Sequence, residues 1–231
     1  MDRVIDDIEK GLIKLQSDHK EDLEKMTFAL DIAGDHRSEL TDKEFSLIED
    51  SSVERQIEFS TGRWLAKIAV NKHCGAKLEL LADSENRPIW PTGLFGSISH
   101  TKPLVLVGVL DRDDSTTIGI DIEQANRVKQ RLFKKLFTRK EVIEHEQSLS
   151  DWAGVIFSAK ESVFKALNPL TDNYLGFLEV EISLNWQART FEASYNGSRY
   201  TSRVIEKGKG YFILLDEYLV TIFIIKDGKR G

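Results

Sequence analysis

Cysteine is nearly absent from this chain. Cys74 stands alone among 231 residues, so no disulfide can staple the fold, which suits a reducing cytoplasm. Proline is sparse as well, and three of the four prolines (Pro88, Pro91 and Pro103) crowd one stretch, which reads as ordered turns around a site. Long apolar runs are missing. The most apolar tract, Tyr211 to Ile225, is broken by Asp216 and Glu217 and is too short to span a bilayer. From Met1 to Lys25 charged and apolar residues alternate, without the apolar core of a signal peptide. Excess positive charge is lacking too: the formal net charge is −6, so no overall field favours nucleic acid or an anionic membrane. What remains is a soluble globular chain, 41% hydrophobic and 30% charged, long enough for one large domain or two small ones.

Periodicity predicts a helix over 42–70, broken near Ser51–Ser52, then strands at 77–81, 96–99, 104–110 and 117–123. Helices follow at 127–136, 139–147 and 151–167. Thr138 and Glu141 have capping-box spacing, and Asn168-Pro169 is a natural stop. The end is β-rich, with strands at 177–184, 190–195, 211–215 and 218–226. Laid side by side, the halves match: a helix (Arg63–Val70 or Glu161–Leu167) leads through strands to a closing apolar strand. The polar run Asp111-Arg112-Asp113-Asp114-Ser115 marks the junction, dividing the chain into 1–114 and 115–231.

Three stretches carry chemistry. In Ile118-Gly119-Ile120-Asp121-Ile122-Glu123 strict alternation puts Asp121 and Glu123 on one face of a strand. Adjacent carboxylates repel, and a hard cation such as magnesium relieves that repulsion; a solvated edge-strand face is the alternative. In Phe157-Ser158-Ala159-Lys160-Glu161-Ser162-Val163-Phe164-Lys165, Lys160 falls inside the apolar arc of a helix, with Glu161 at its edge and Lys165 one turn on. Such a lysine either snorkels to water or meets an anion. In Gly93-Leu94-Phe95-Gly96-Ser97-Ile98-Ser99-His100-Thr101, glycines permit close backbone approach, and Ser99 and His100 supply donors for phosphate oxygens. The stretch lacks the Gly-Lys-Ser/Thr ending of a P-loop, and a lone histidine can equally be structural.

In this order and spacing the three motifs resemble the 4′-phosphopantetheinyl transferase family, most closely its enterobactin-synthase component D branch. The approach Arg87-Pro88-Ile89-Trp90-Pro91-Thr92-Gly93 fits that branch, and the resemblance spans roughly Arg55 to Asn168. It implies an α+β fold of two similar halves related by pseudo-twofold symmetry, each a small antiparallel sheet packed on a long helix. It also implies a cytoplasmic monomer with coenzyme A, the co-substrate, in the cleft between the halves. By matching position, Asp121, Glu123 and Glu161 would hold magnesium, with manganese able to substitute. His100 and Lys165 would contact coenzyme A phosphates and Lys160 would help neutralise them. Arg55 and Arg63 match the basic helix beside the 3′-phosphate, and Arg87 stands where the family often carries Gly-Lys-Pro.

The implied reaction is attack by a serine of an apo acyl or peptidyl carrier protein on the β-phosphorus of coenzyme A, in siderophore or related biosynthesis. Such a reaction asks for alignment and charge stabilisation. Glu161, or a water acting with it, would take the serine proton. The alternatives are a magnesium-dependent hydrolase of the coenzyme A diphosphate and a non-catalytic binding module. One feature comes from charge rather than resemblance. Arg127, Lys129, Arg131, Lys134, Lys135, Arg139 and Lys140 are uninterrupted by any acid, in a chain of opposite net sign. On a helix, with Val128, Leu132, Phe133, Leu136 and Phe137 as its buried side, Arg127, Arg131, Lys134 and Lys135 share the opposite face, which would either dock an acidic carrier protein or be a solvated basic surface.

Overall fold

In chain order α1 (Asp2–Asp18), α2 (Lys20–Leu23) and β1 (Thr27–Ile32) come first, then α3 (Asp42–Ser46), α4 (Val53–Cys74), β2 (Leu94–Thr101) and β3 (Leu104–Asp111). Next are β4 (Thr116–Gln124), α5 (Phe133–Leu136), α6 (Arg139–His145), α7 (Trp152–Leu167), β5 (Val180–Asn185) and β6 (Thr190–Tyr195). The last elements are α8 (Arg199–Ile205), β7 (Gly208–Leu214) and β8 (Tyr218–Lys226). This computed structural model describes residues 1–111, 116–145, 148, 151–171, 175–196 and 199–226, the side chains of 199 and 200 excepted. Apart from Asp111, the polar junction run therefore lies outside the described residues, as do positions 146 and 147 of the helix expected over 139–147. No helix among the described residues is long and apolar enough to cross a membrane.

Two compact units emerge, Lys25–Asp113 and a second made of Met1–Glu24 with Asp114–Gly231. In the first, an antiparallel sheet of order β1-β3-β2 carries α4 on one face. Leu65, Ala66, Ala69 and Val70 of that helix pack on Val105, Val107 and Val109, the alternate residues of β3. Helix α4 starts where the Ser52 side chain accepts from the Arg55 amide and stops at Gly75, whose φ of 71° ends it in the left-handed region. The break expected near Ser51–Ser52 is thus real, and the helix runs one turn past Val70. No strand forms over 77–81. Leu78 and Leu80 bury as anchors, and the Leu80 amide donates to a side chain, Glu44 Oε1 at 2.9 Å, rather than to a neighbouring strand.

The second unit is a five-stranded antiparallel sheet of order β4-β8-β7-β6-β5. Helix α7 crosses it, packing Val155, Ile156, Ala159, Val163 and Ala166 into a core with Ile182, Leu219, Phe223 and Ile225. The likeness of the halves lies in topology: β1-β3-β2 under α4 and β4-β8-β7 under α7 are the same arrangement. Residues 127–136 do not form one helix. A 3₁₀ turn at Gln130–Leu132 leads into the single turn of α5, and Phe137 is extended because Thr138 must enter a new capping box with Glu141. Leu132, expected on a buried side, is 37% exposed.

The first 24 residues belong to the second unit, whereas a division at 114 groups them with the first. Ile8, Leu12 and Leu15, the buried stripe of α1, explain this: the helix lies on β7, with Gly11 close against Ile213. Beyond α1, Asp22 accepts hydrogen bonds from Lys226 at 2.7 Å, Lys209 at 3.2 Å and the Tyr211 hydroxyl. Burial pushes the Asp22 carboxyl up, but the bonds from Lys226, Tyr211 and Lys209 outweigh it and hold the carboxyl at about 2 against an ordinary 3.8. A depressed carboxyl contributes stability above its unfolded value and loses it as pH falls through the folded one. Asp22→Asn should therefore lower unfolding free energy by about 1–3 kcal/mol at neutral pH. The difference from the parent should shrink below pH 3.8 and vanish only below pH 2, as read by denaturant titration across pH. A difference independent of pH would refute the clasp.

Candidate functional site

Strand β4 is buried on both faces, so Asp121 and Glu123, at 4% and 9% exposure, do not form a solvated edge. They lie opposite Thr221 and Leu219 of β8, on the face that α7 covers. Gly119 makes that closeness possible: a Cβ there would stand 1.9 Å from the Ser162 carbonyl oxygen of α7. Asp121 Oδ1 accepts from Lys165 Nζ at 2.8 Å and Oδ2 from the Ser158 hydroxyl at 2.7 Å. Glu123 accepts from the Arg127 guanidinium. Burial pushes the Glu161 carboxyl up; Asp121 and Glu123 add to this, and Lys165 opposes it.

The structure thus brings Asp121, Glu123, Glu161 and Lys165 into one electrostatic neighbourhood. Among the described residues, no three carboxylate, histidine or cysteine side chains converge into a ready-made cation cage. The donor set nonetheless fits magnesium, being all carboxylate oxygen, with mutual repulsion that a dication relieves. With protein groups alone, Lys165 and Arg127 supply the positive charge. Lys160 goes elsewhere. It is 3% exposed, and its three donors reach Glu141 Oε2 and the Leu136 and Phe177 carbonyls at 2.8, 2.9 and 2.7 Å. Burial lowers its pKa, and the Glu141 carboxylate works against that shift. The anion that relieves Lys160 is a protein side chain, so no donor is left for the expected phosphate.

The second cluster lies in the unit Lys25–Asp113. Arg55, Glu58, Phe59 and Arg63 share a face of α4, and with Asn86, Pro88 and His100 they line a cavity of about 200 Å³. Arg63 is 5% exposed, its Nε has no hydrogen-bond partner, and its guanidinium rests on the Phe59 ring at 4.3 Å. Burial lowers its pKa to about 10, with Glu44 opposing and Arg55 assisting. A buried cation with no carboxylate bonded to it asks for an anion. Arg55 pairs with Glu58 at 3.7 Å, and His100 Nε2 meets the same carboxylate at 3.0 Å.

Two expected residues are placed differently. Ser99 alternates with His100 along β2, so it faces the other side of the sheet, opposite Leu106. Arg87 is held by Asp83 at 2.7 Å and Glu85 at 3.1 Å, while its neighbours Asn86 and Pro88 line the cavity. Sequence reasoning missed Glu58 and Phe59 and gave Glu141 only as a capping-box residue. Helical spacing from Arg55 would have found the first two.

Two family models match this chain: the 4′-phosphopantetheinyl transferase N-terminal domain over residues 43–109, and the 4′-phosphopantetheinyl transferase superfamily over 117–223. The enterobactin synthase component D of Escherichia coli K12 is 32% identical over 150 residues, covering 62% of this chain and 68% of that protein. The chain is an enzyme of the 4′-phosphopantetheinyl transferase superfamily. The 4′-phosphopantetheinyl transferase PptT of Mycobacterium tuberculosis is 29% identical over 171 residues, 72% of each chain. Among solved structures, the holo-(acyl-carrier-protein) synthase of Bacillus anthracis in complex with CoA (3′,5′-ADP) matches with a TM-score of 0.35 at 18% identity, over 48% of this chain and 96% of that one. The superfamily moves phosphopantetheine from coenzyme A to carrier proteins. Both of the electrostatic clusters fall inside the matched ranges.

The unbonded charge of Arg63 has a measurable consequence. Arg63→Met should raise the melting temperature of the ligand-free protein by about 2–4 °C, the shift expected for roughly 1 kcal/mol in a chain of this size. The same substitution should reduce the further stabilisation given by adenosine 3′,5′-bisphosphate. A lower melting temperature with an unchanged nucleotide shift would show that Arg63 is a satisfied core residue.

Proposed function

We propose that this transferase moves 4′-phosphopantetheine from coenzyme A to a serine hydroxyl of an apo carrier protein, releasing adenosine 3′,5′-bisphosphate. The observation that carries the reading is the buried Arg63 in its cavity beside Arg55 and His100, a cationic recess suited to the phosphates of a nucleotide. The three carboxylates and Lys165 supply the complementary chemistry. Asp121, Glu123 and Glu161 would hold magnesium, which when bound neutralises diphosphate charge. Lys165, now on Asp121, would turn to a phosphate oxygen. Glu161 lines a cavity of about 240 Å³, walled by Phe164, Leu175, Phe177 and Val180, which suits the pantetheine arm. That position makes Glu161 the group to take the serine proton. The serine oxygen forms a bond to the β-phosphorus, and the bond to the oxygen shared with the α-phosphate breaks. Its electron pair leaves with the nucleotide. A cytoplasmic monomer is the working form, and carriers of siderophore or other nonribosomal peptide assembly are the first to try.

Intact-mass analysis of a panel of apo carriers, incubated with coenzyme A and magnesium, tests the reaction directly. One carrier should gain one phosphopantetheine, and excess chelator or Asp121→Ala should abolish the gain. Consumption of coenzyme A with no carrier modified would favour the hydrolase reading.

The basic run supplies a surface for the acidic partner. Arg131, Lys134, Lys135 and Arg139 are exposed and make no ion pair among the described residues, whereas Arg127 pairs with Glu123 and Lys140 with Glu181. Leu132 stands exposed among them. Because residues 127–140 are a turn and two short helices, these charges share an irregular surface rather than one helical face. Arg131→Glu, Lys134→Glu and Lys135→Glu together should lower kcat/KM for the carrier by about tenfold at low salt and flatten its salt dependence. Coenzyme A affinity should be unchanged. Parental transfer rates in low salt would reduce the run to solvated surface.

A further inference from the structure

The residue next to Glu161 makes one of the most buried ion pairs in the described chain. The side chains of Lys160 and Glu141 are 2% and 0% exposed and meet at 2.8 Å. An ammonium has three donors. The other two of Lys160 go to Leu136, the last residue of α5, and to Phe177 in the wall of the cavity beside Glu161. Glu141 is as heavily used: Oε2 also accepts from the Thr138 amide at 2.7 Å, and Oε1 from the Ile182 amide of β5 at 2.8 Å. One pair therefore ties α7 to the end of α5, the start of α6, the cavity wall and β5.

The other unit carries the same device. Thr41-Asp42-Lys43-Glu44 repeats the spacing of Thr138-Arg139-Lys140-Glu141. Glu44 Oε2 takes the Thr41 amide at 2.9 Å and Lys67 Nζ of α4 at 2.7 Å, and Oε1 takes the Leu80 amide at 2.9 Å. Lys67 donates again to the Glu39 carbonyl at 2.7 Å. The flanks agree as well: Thr41 and Lys43 reach Glu79, and Thr138 and Lys140 reach Glu181. Lys67 is followed by Ile68, so in that unit no candidate metal ligand adjoins the lock. The device belongs to the folding unit, and what differs is what has been hung on it.

We infer that Glu141 and Lys160 are positioning residues: the buried pair holds the Leu136 and Phe177 carbonyls to α7, and so sets the cavity wall and the basic segment around Glu161. Lys160 spends its charge on Glu141 and none on coenzyme A. The catalytic part of this inference rests on the proposed transfer; the lock itself does not.

The test replaces the pair by Glu141→Leu with Lys160→Met, since apolar substitution of both partners leaves no buried charge unpaired. Glu141→Gln, which keeps the shape of the side chain, is carried through the same measurements in case the double variant does not fold. Amide hydrogen exchange should quicken in peptides covering 133–137 and 175–179. Calorimetric coenzyme A affinity should stay within about twofold of the parent, and kcat for the carrier should fall by about tenfold or more, the scale of misplaced catalytic geometry. Lys160→Met alone should be no more active than the double variant, because the two side chains act as one unit. Unchanged exchange in both segments would overturn the lock whatever the activity. Coenzyme A binding weakened tenfold in the double variant would return Lys160 to the phosphates, and an unchanged kcat would remove any role in positioning. A parent that modifies no carrier would count against the proposed reaction, leaving exchange and calorimetry to decide the lock.

Discussion

Everything around the acidic strand depends on how closely α7 lies on β4. Gly119 sets that distance, because any side chain there would occupy the space of the Ser162 carbonyl and the Lys165 Cβ. With the helix this near, the side chains that leave β4 towards it have no room for a water layer. Asp121 and Glu123 are buried as a result, and Glu161 and Lys165 are pressed into the same volume. Burial raises the Glu161 pKa; Lys165 opposes that shift, and repulsion from Asp121 and Glu123 adds to it. The close packing of α7 on β4 creates this crowding.

Buried charge is handled in three ways here, and each marks a different purpose. At Lys160–Glu141 and Lys67–Glu44 the charge is matched, and the pairs also hold the Thr138, Ile182, Thr41 and Leu80 amides and the Leu136, Phe177 and Glu39 carbonyls, so each ion pair acts as a fastener. At Asp121–Lys165 it is matched by a cation that is one-quarter exposed and can turn away. At Arg63 no carboxylate is bonded among the described residues, and the guanidinium rests on the Phe59 ring. The less complete the compensation within the chain, the more the group is available to an outside partner.

The two units differ in what has been added to a shared plan. Both lay one long helix across the matching strands β1-β3-β2 or β4-β8-β7, and both fasten it with a capping-box glutamate. The second unit extends its sheet with β5 and β6 and takes α1 onto β7. Its first strand presents Asp121 and Glu123, while the helix of the first unit presents Arg55 and Arg63 beside Glu58.

Much of this was legible in the residues alone. Strict alternation in β4 determined which side chains share a face, and the Thr138–Glu141 spacing determined where α6 begins, since both are local properties of the backbone. The motif order determined the family. Tertiary structure decided the rest. Leu80 reads as strand, but a glutamate 36 residues earlier claims its amide. The basic run reads as a helix until the next capping box demands an extended residue at Phe137. Ser99 and His100 are neighbours in a motif and point to opposite faces of the sheet. Lys160 invites a phosphate by its place in the pattern, yet Glu141 and two carbonyls use all its donors. Spacing along a chain sets which way a side chain leaves the backbone, but the groups that wait for it come from distant segments, and only the folded packing brings them there.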